Sequence, residues 1–167
     1  MYSQGKEKCV LCEAGKFAAV EGLAACLKCN VGTFREANAV ANACQACAKG
    51  KHQDGEGAAT CKKCPKGRYA SETGLPQCRP CAAGTEAVTE GKHSCTPCNA
   101  GFWSKEFGPC APCNAGFFSP EKGASACTKC PVGRAVKATG KAQCEVCKAG
   151  KIASKTGLAE CSDCLKG

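Results

Sequence analysis

The chain has 167 residues, 20 of them cysteine, and a formal charge of +9 from 23 basic and 14 acidic residues. Leu, Ile, Val and Phe number only 21, about 13%, against the roughly 20% below which chains fail to build an oily core. One large apolar globule is therefore excluded, and so is a membrane span, because no run of 18 apolar residues occurs. Cross-links or metal must hold the chain.

Residues 1–8 (MYSQGKEK) form a polar lead-in without the apolar stretch of a signal peptide. From there every cysteine belongs to a C-x-x-C pair. The pairs open at Cys9, Cys26, Cys44, Cys61, Cys78, Cys95, Cys110, Cys127, Cys144 and Cys161, and seven of the nine steps are 17 residues, the others 18 and 15. A fixed period means a repeat array. Residues 9–94 hold repeats one to five, 95–126 a shortened, aromatic-rich pair, and 127–167 repeats eight to ten, the last incomplete. The chain reads as a stretch of a longer array or a processed form.

Six residues after each opening cysteine stands a glycine, from Gly15 to Gly167. A second glycine follows thirteen residues after the opening cysteine in eight of nine units, as at Gly22, Gly74, Gly91, Gly123, Gly140 and Gly157. In the 15-residue unit that place is Gly108, and two residues are missing after it; the 18-residue unit has Asn38-Ala39 instead, and Asn also tolerates a positive φ. After the first glycine comes a polar residue and then an aromatic, as in Lys16-Phe17, Thr33-Phe34 and Arg68-Tyr69. Alternation at period two predicts a short strand with one buried face. A turn at the second glycine then makes each unit a hairpin. Lone hairpins are marginal in water, so each needs a staple and a neighbour. The expected fold is small and cysteine-rich, mostly irregular and β, an elongated solenoid-like array of short hairpins.

Three chemistries compete for the cysteines. The first is disulfides, in one of two schemes. Joining the second cysteine of one pair to the first of the next gives Cys12–Cys26, Cys29–Cys44, Cys47–Cys61, Cys64–Cys78, Cys81–Cys95, Cys98–Cys110, Cys113–Cys127, Cys130–Cys144 and Cys147–Cys161, leaving Cys9 and Cys164 over. Each bridge closes a ring of about 15 residues, worth about 3 kcal/mol in the chain-entropy model, and the aromatic, such as Phe17 or Tyr69, should pack on its sulfurs. A crosswise scheme, Cys9–Cys26 with Cys12–Cys29, uses all 20 but calls for alternation at 34 residues, which is absent. Connectivity stays open from sequence alone. The second chemistry is zinc, since paired C-x-x-C knuckles approach four-cysteine spacing; the same lack of alternation weighs against it. The third is thiol–disulfide exchange, which needs one low-pKa thiol at a helix start, and ten equivalent glycine-broken copies do not supply that.

Cys61-Lys62-Lys63-Cys64-Pro65-Lys66-Gly67-Arg68-Tyr69 and Cys110-Ala111-Pro112-Cys113-Asn114-Ala115-Gly116-Phe117-Phe118 resemble the ephrin-receptor-like cysteine-rich repeats. These sit in the wider growth-factor-receptor class, with EGF-like and tumour-necrosis-factor-receptor-like modules as cousins. The resemblance implies disulfides and an oxidising compartment, extracellular or an organelle lumen, and it serves spacers, stalks and ligand-binding ectodomains alike. Glu86 and Ala135 stand where the family prefers an aromatic, so those two units should be looser.

No phosphate loop, carboxylate dyad or nucleophile elbow is visible, so no catalytic, cofactor or metal residues are assigned and an enzyme is not expected. His52 occupies an aromatic slot as a packing residue, and His93 faces solvent. Phe102, Trp103, Phe107, Phe117 and Phe118, five of nine aromatics, fall within 17 residues where the array shortens. They either cover a bend or form an exposed patch for a partner; Phe102 and Phe117, in the polar slot, should point outward. The charge is divided evenly, about +5 before residue 84 and +4 after it. It suits a solvated surface, or contact with an acidic protein face, a sulfated glycan or lipid headgroups. With four Arg and no basic run interleaved with aromatics, nucleic acid fits worst. No N-x-S/T sequon occurs; Asn42-Ala43-Cys44 is the weak variant. The expected role is a non-enzymatic structural or protein-interaction module. The alternatives are an accessory subunit bridging others on the lumenal face of a membrane complex, and a cysteine-only zinc array.

Overall fold

The glycine six residues after each opening cysteine starts every repeat. Gly15 is typical. The amide of Lys16 donates to the carbonyl of Glu13 at 3.1 Å, and Gly15 has φ of 77°. That is a tight turn with a positive φ at its third residue, which a side chain would strain. The turn delivers the chain into the two-residue strand Lys16–Phe17, which pairs antiparallel with Leu27–Lys28. The same construction repeats. The computed structural model, which describes residues 2–3, 9–19, 25–37 and 43–164, contains no helix and ten two-stranded sheets. The polar lead-in contributes to one of them, with Tyr2–Ser3 pairing Cys9–Val10. The turns expected at Gly22 and Asn38-Ala39, the sequon variant at Asn42, and Gly167 lie outside the described residues, as does the side chain of Cys9.

Each of the nine hairpins from Lys16–Phe17 onward is closed by one bridge, running from the second cysteine of a pair to the first of the next. Nine bridges, Cys12–Cys26 through Cys147–Cys161, have Cα atoms 5.5–5.8 Å apart. The crosswise scheme falls, because Cys12 is bonded to Cys26 and Cys29 to Cys44. The zinc array falls with it: once eighteen sulfurs are joined in pairs, no four-thiolate set remains among the described residues. Cys164 is free and exposed.

The chain divides into two compact units. One comprises residues 1–79 and 89–94, the other 80–88 and 95–167. Inside each, consecutive repeats are joined by the same backbone bonds. In the first unit Gly15 N–H donates to Arg35 O at 2.8 Å and Cys29 N–H to Gly15 O at 2.8 Å; in the second, Gly116 N–H donates to Val136 O and Cys130 N–H to Gly116 O, both at 2.8 Å. Closer still is the contact two repeats away. A Cβ on Gly15 would lie 1.9 Å from the carbonyl oxygen of Gly57, and one on Gly116 would lie 2.1 Å from that of Gly157. The first glycine of one repeat therefore rests on the turn glycine of the repeat after next.

The core is thin and lies elsewhere than the alternation suggests. The aromatics are half-buried, as are most of the polar residues beside them. The buried column is the second cysteine of each pair, from Cys12 to Cys130, together with the residue nine places after each opening cysteine. Those nine, Ala18, Arg35, Gln53, Ala70, Ala87, Ser104, Ser119, Val136 and Ala153, are at most 6% exposed. The strands are too short to show a face, and the chain turns inward just after them. Polar members of the column are satisfied by backbone: Arg35 Nη1 donates to Cys12 O and Lys16 O, and Gln53 Nε2 to Thr60 O. No buried side-chain polar atom lacks a partner among the described residues.

Candidate interaction surface

In three repeats the second residue of the first strand, Phe118, His52 or Glu86, meets the next bridge rather than its own. Phe118 packs with Val136 against Cys130–Cys144, although its own hairpin is closed by Cys113–Cys127. Aromatic packing on sulfur thus occurs one repeat further along than expected. His52 does the same, with Nδ1 3.2 Å from Cys78 Sγ. His52, Cys64 and Cys78 cluster tightly, but the two sulfurs are bonded to each other and are not thiolate ligands. His93 is exposed.

The two departures from the aromatic pattern differ from one another. Glu86 reaches the next bridge and accepts a hydrogen bond from the backbone N–H of Cys110 at 2.7 Å. A charge-assisted bond stands where a ring would pack. Ala135 is 6% exposed, beside Val136, which fills the cluster at Cys130–Cys144. The Glu86 slot is thus occupied, whereas beside Ala135 a cleft of about 320 Å³ opens against the next bridge, Cys147–Cys161.

The shortened repeat carries the local irregularity. Cys98 and Cys110 are 12 apart, where the other bridges span 14 or 15. The expected turn glycine, Gly108, has no positive φ; Phe107 does, at 63°, alone among the described non-glycine residues. Phe107 N–H donates to Cys81 O at 3.3 Å, as Gly123 N–H does to Cys98 O at 2.8 Å. With two residues fewer to cover the same gap, the turn must come one residue early, and it lands on a phenylalanine. The ring is 49% exposed.

The five aromatics separate into distinct settings. Trp103 and Phe117 line a shallow cleft of about 260 Å³ with Asn114, Ala126 and Cys127. The ring of Phe102 lies against Gly140, whose ideal Cβ would be 3.6 Å from it. Phe118 faces sulfur, and Phe107 faces solvent. Phe102 and Phe117, expected to point outward, are both half-buried.

A tandem of two-stranded hairpins, each closed by one disulfide and locked to its neighbours by glycine, defines a cysteine-rich repeat protein of the receptor-ectodomain type. Residues 32–74 and 102–147, more than half of the chain, match the model of the tyrosine-protein kinase ephrin type A/B receptor-like family. The chain belongs to that family. No curated protein matches it at a significant level. No helix among the described residues is long and apolar enough to cross a membrane.

Proposed function

We propose that the chain is a non-catalytic structural and protein-interaction module working in an oxidising compartment, outside the cell or in a lumen. The observation that carries this is the hairpin construction itself. Nine bridges do the work of a core, a design that reducing compartments do not sustain. Family membership supports an interaction role over a catalytic one.

The docking point in this reading is the aromatic group of repeats six and seven. Trp103 and Phe117 offer a cleft the size of one large side chain, and Phe107 stands beside the shortened turn. Half-exposed Trp and Phe are the residue types that carry binding energy at protein interfaces. The test places a photo-crosslinking phenylalanine at position 117 of the full chain, or at the exposed control Glu145, in its native setting. A protein partner captured from position 117 and not from 145 is expected. No capture, or equal capture at both, refutes the patch.

A further inference from the structure

We propose that the lysine pairs of the first unit form a binding face for a linear sulfated glycan. Two cross-strand pairs there are lysine on both sides, Lys16 opposite Lys28 and Lys51 opposite Lys63, and His52 stands opposite Lys62. Like charges placed directly opposite destabilise a sheet. The hairpin between them does without such pairs, setting Thr33 opposite Ala46 and Phe34 opposite Gln45, so the repeat does not require lysine there.

Packing gathers what the sequence spreads. Because each repeat rests on the one two places on, the Lys16/Lys28 hairpin leans on the loop of the Lys51/Lys63 repeat, through Gly15 and Gly57. The Lys28 stem runs along that loop, its Cγ and Cδ 3.6 Å from where a Gly57 Cβ would be, and Lys63 lies likewise over Gly91. Lys28 thus reaches the loop of the repeat that carries Lys51 and Lys63. Glu13 neutralises Lys16 at 3.0 Å and Asp54 neutralises Lys62 at 2.6 Å. Lys28, Lys51 and Lys63 are exposed and make no ion pair among the described residues, although Glu56 and Glu90 occupy the adjoining turns.

The chemistry selects the ligand. Three unpaired ammonium groups on flexible stems, without an arginine fork among them, act as point charges. A row of point charges suits evenly repeated anions on an extended chain. Sulfate esters stay ionised at every physiological pH, so the match holds throughout. Among its described residues the face has no exposed aromatic to stack on bases or enter a lipid surface. It lies in the other unit from the aromatic group of repeats six and seven, so either assignment can stand or fall alone.

The test is binding of the intact, oxidised chain to heparin, compared with desulfated heparin, polyglutamate and phosphatidylserine vesicles at one ionic strength. The variant K28S/K51S/K63S is set against K122S/K141S/K148S, which removes the same charge elsewhere. Exposed ion contacts are each worth a few-fold, so the first triple should bind heparin on the order of tenfold more weakly and elute at lower salt. The second should change little. Removing opposed lysines should leave thermal stability equal or higher, which separates lost binding from lost folding. Equal losses in both triples would reduce the effect to net charge. Comparable binding to desulfated heparin, or tighter binding to polyglutamate or vesicles, would also overturn the proposal.

Discussion

Gly116→Ala tests the glycine contact between repeats two apart. The new Cβ would sit 2.1 Å from the Gly157 carbonyl oxygen, and that atom belongs to backbone. A methyl group and an oxygen need more than 3 Å, so one of the two loops must move by about 1 Å. Overpacking of that kind costs about 1–3 kcal/mol, and an alanine at φ of 80° adds about 1 kcal/mol. Gly133→Ala is the matched control. Its φ is 78°, yet nothing lies within 4 Å of the added carbon, so only the backbone strain of about 1 kcal/mol applies. The two variants should therefore differ by roughly 2 kcal/mol. Native-state hydrogen exchange reads it locally, at the Cys130 amide bonded to Gly116 O and the Gly157 amide bonded to Cys130 O. Protection at both should fall in Gly116→Ala and persist in Gly133→Ala. Equal effects from the two would mean the interlock does not exist and the glycines serve only their own turns.

Phe107→Gly and Phe107→Ala both delete the ring, but only glycine relieves the positive φ; the glycine variant should be the more stable by about 1 kcal/mol in thermal unfolding. Glu86→Ala leaves the Cys110 amide without its acceptor. This should destabilise that hairpin by about 1–3 kcal/mol and speed reduction of Cys98–Cys110 relative to Cys113–Cys127, as read by alkylation and mass spectrometry. The carboxyls of Asp54 and Glu160 are held below their ordinary range by hydrogen bonds from Lys62 and Lys137, and Lys137 is raised in return. A carboxyl lowered in the folded state stabilises above its unfolded pKa and ceases to do so as pH falls through the folded one. Stability should therefore slip as pH falls through and below the ordinary carboxyl values of 3.8 and 4.5. The slope should be small, because all these groups are exposed and salt screens them; Asp54→Asn with Glu160→Gln should flatten it.

Much of the fold was legible because cysteine and glycine are the two residues whose roles depend least on tertiary context. The spacing from Gly15 to Gly150 placed the first strand of each hairpin from Lys16 to Lys151, and the steps between cysteine pairs set the hairpin length, whereas the Tyr2–Ser3 strand in the polar lead-in was not marked. What escaped was anything requiring knowledge of which repeat touches which. A one-dimensional period of 17 is the same whether a repeat meets its neighbour or the one beyond. The Gly15–Gly57 contact and the reach of Phe118 to Cys130–Cys144 therefore left no trace in the spacing. The buried column did leave one: Ala or Ser stands at six of its nine positions, a preference masked by attention to the aromatic one residue earlier. The turn of the shortened repeat falls on Phe107 instead of Gly108 for a physical reason. Glycine is the cheaper residue for the turn, and Gly108 is adjacent, but the shorter ring moves the turn off it. In the candidate surface, the aromatic group was visible as composition, whereas its division between a cleft, sulfur and solvent depended on packing.

The glycine interlock ties each loop to a particular partner two units on. Inserting a single repeat between Lys28 and Lys51 would set a new loop against Gly15 and Lys28 and cost the Lys51/Lys63 repeat that contact. Lineages that lengthen or shorten such a chain while keeping that contact should therefore gain or lose repeats outside this stretch.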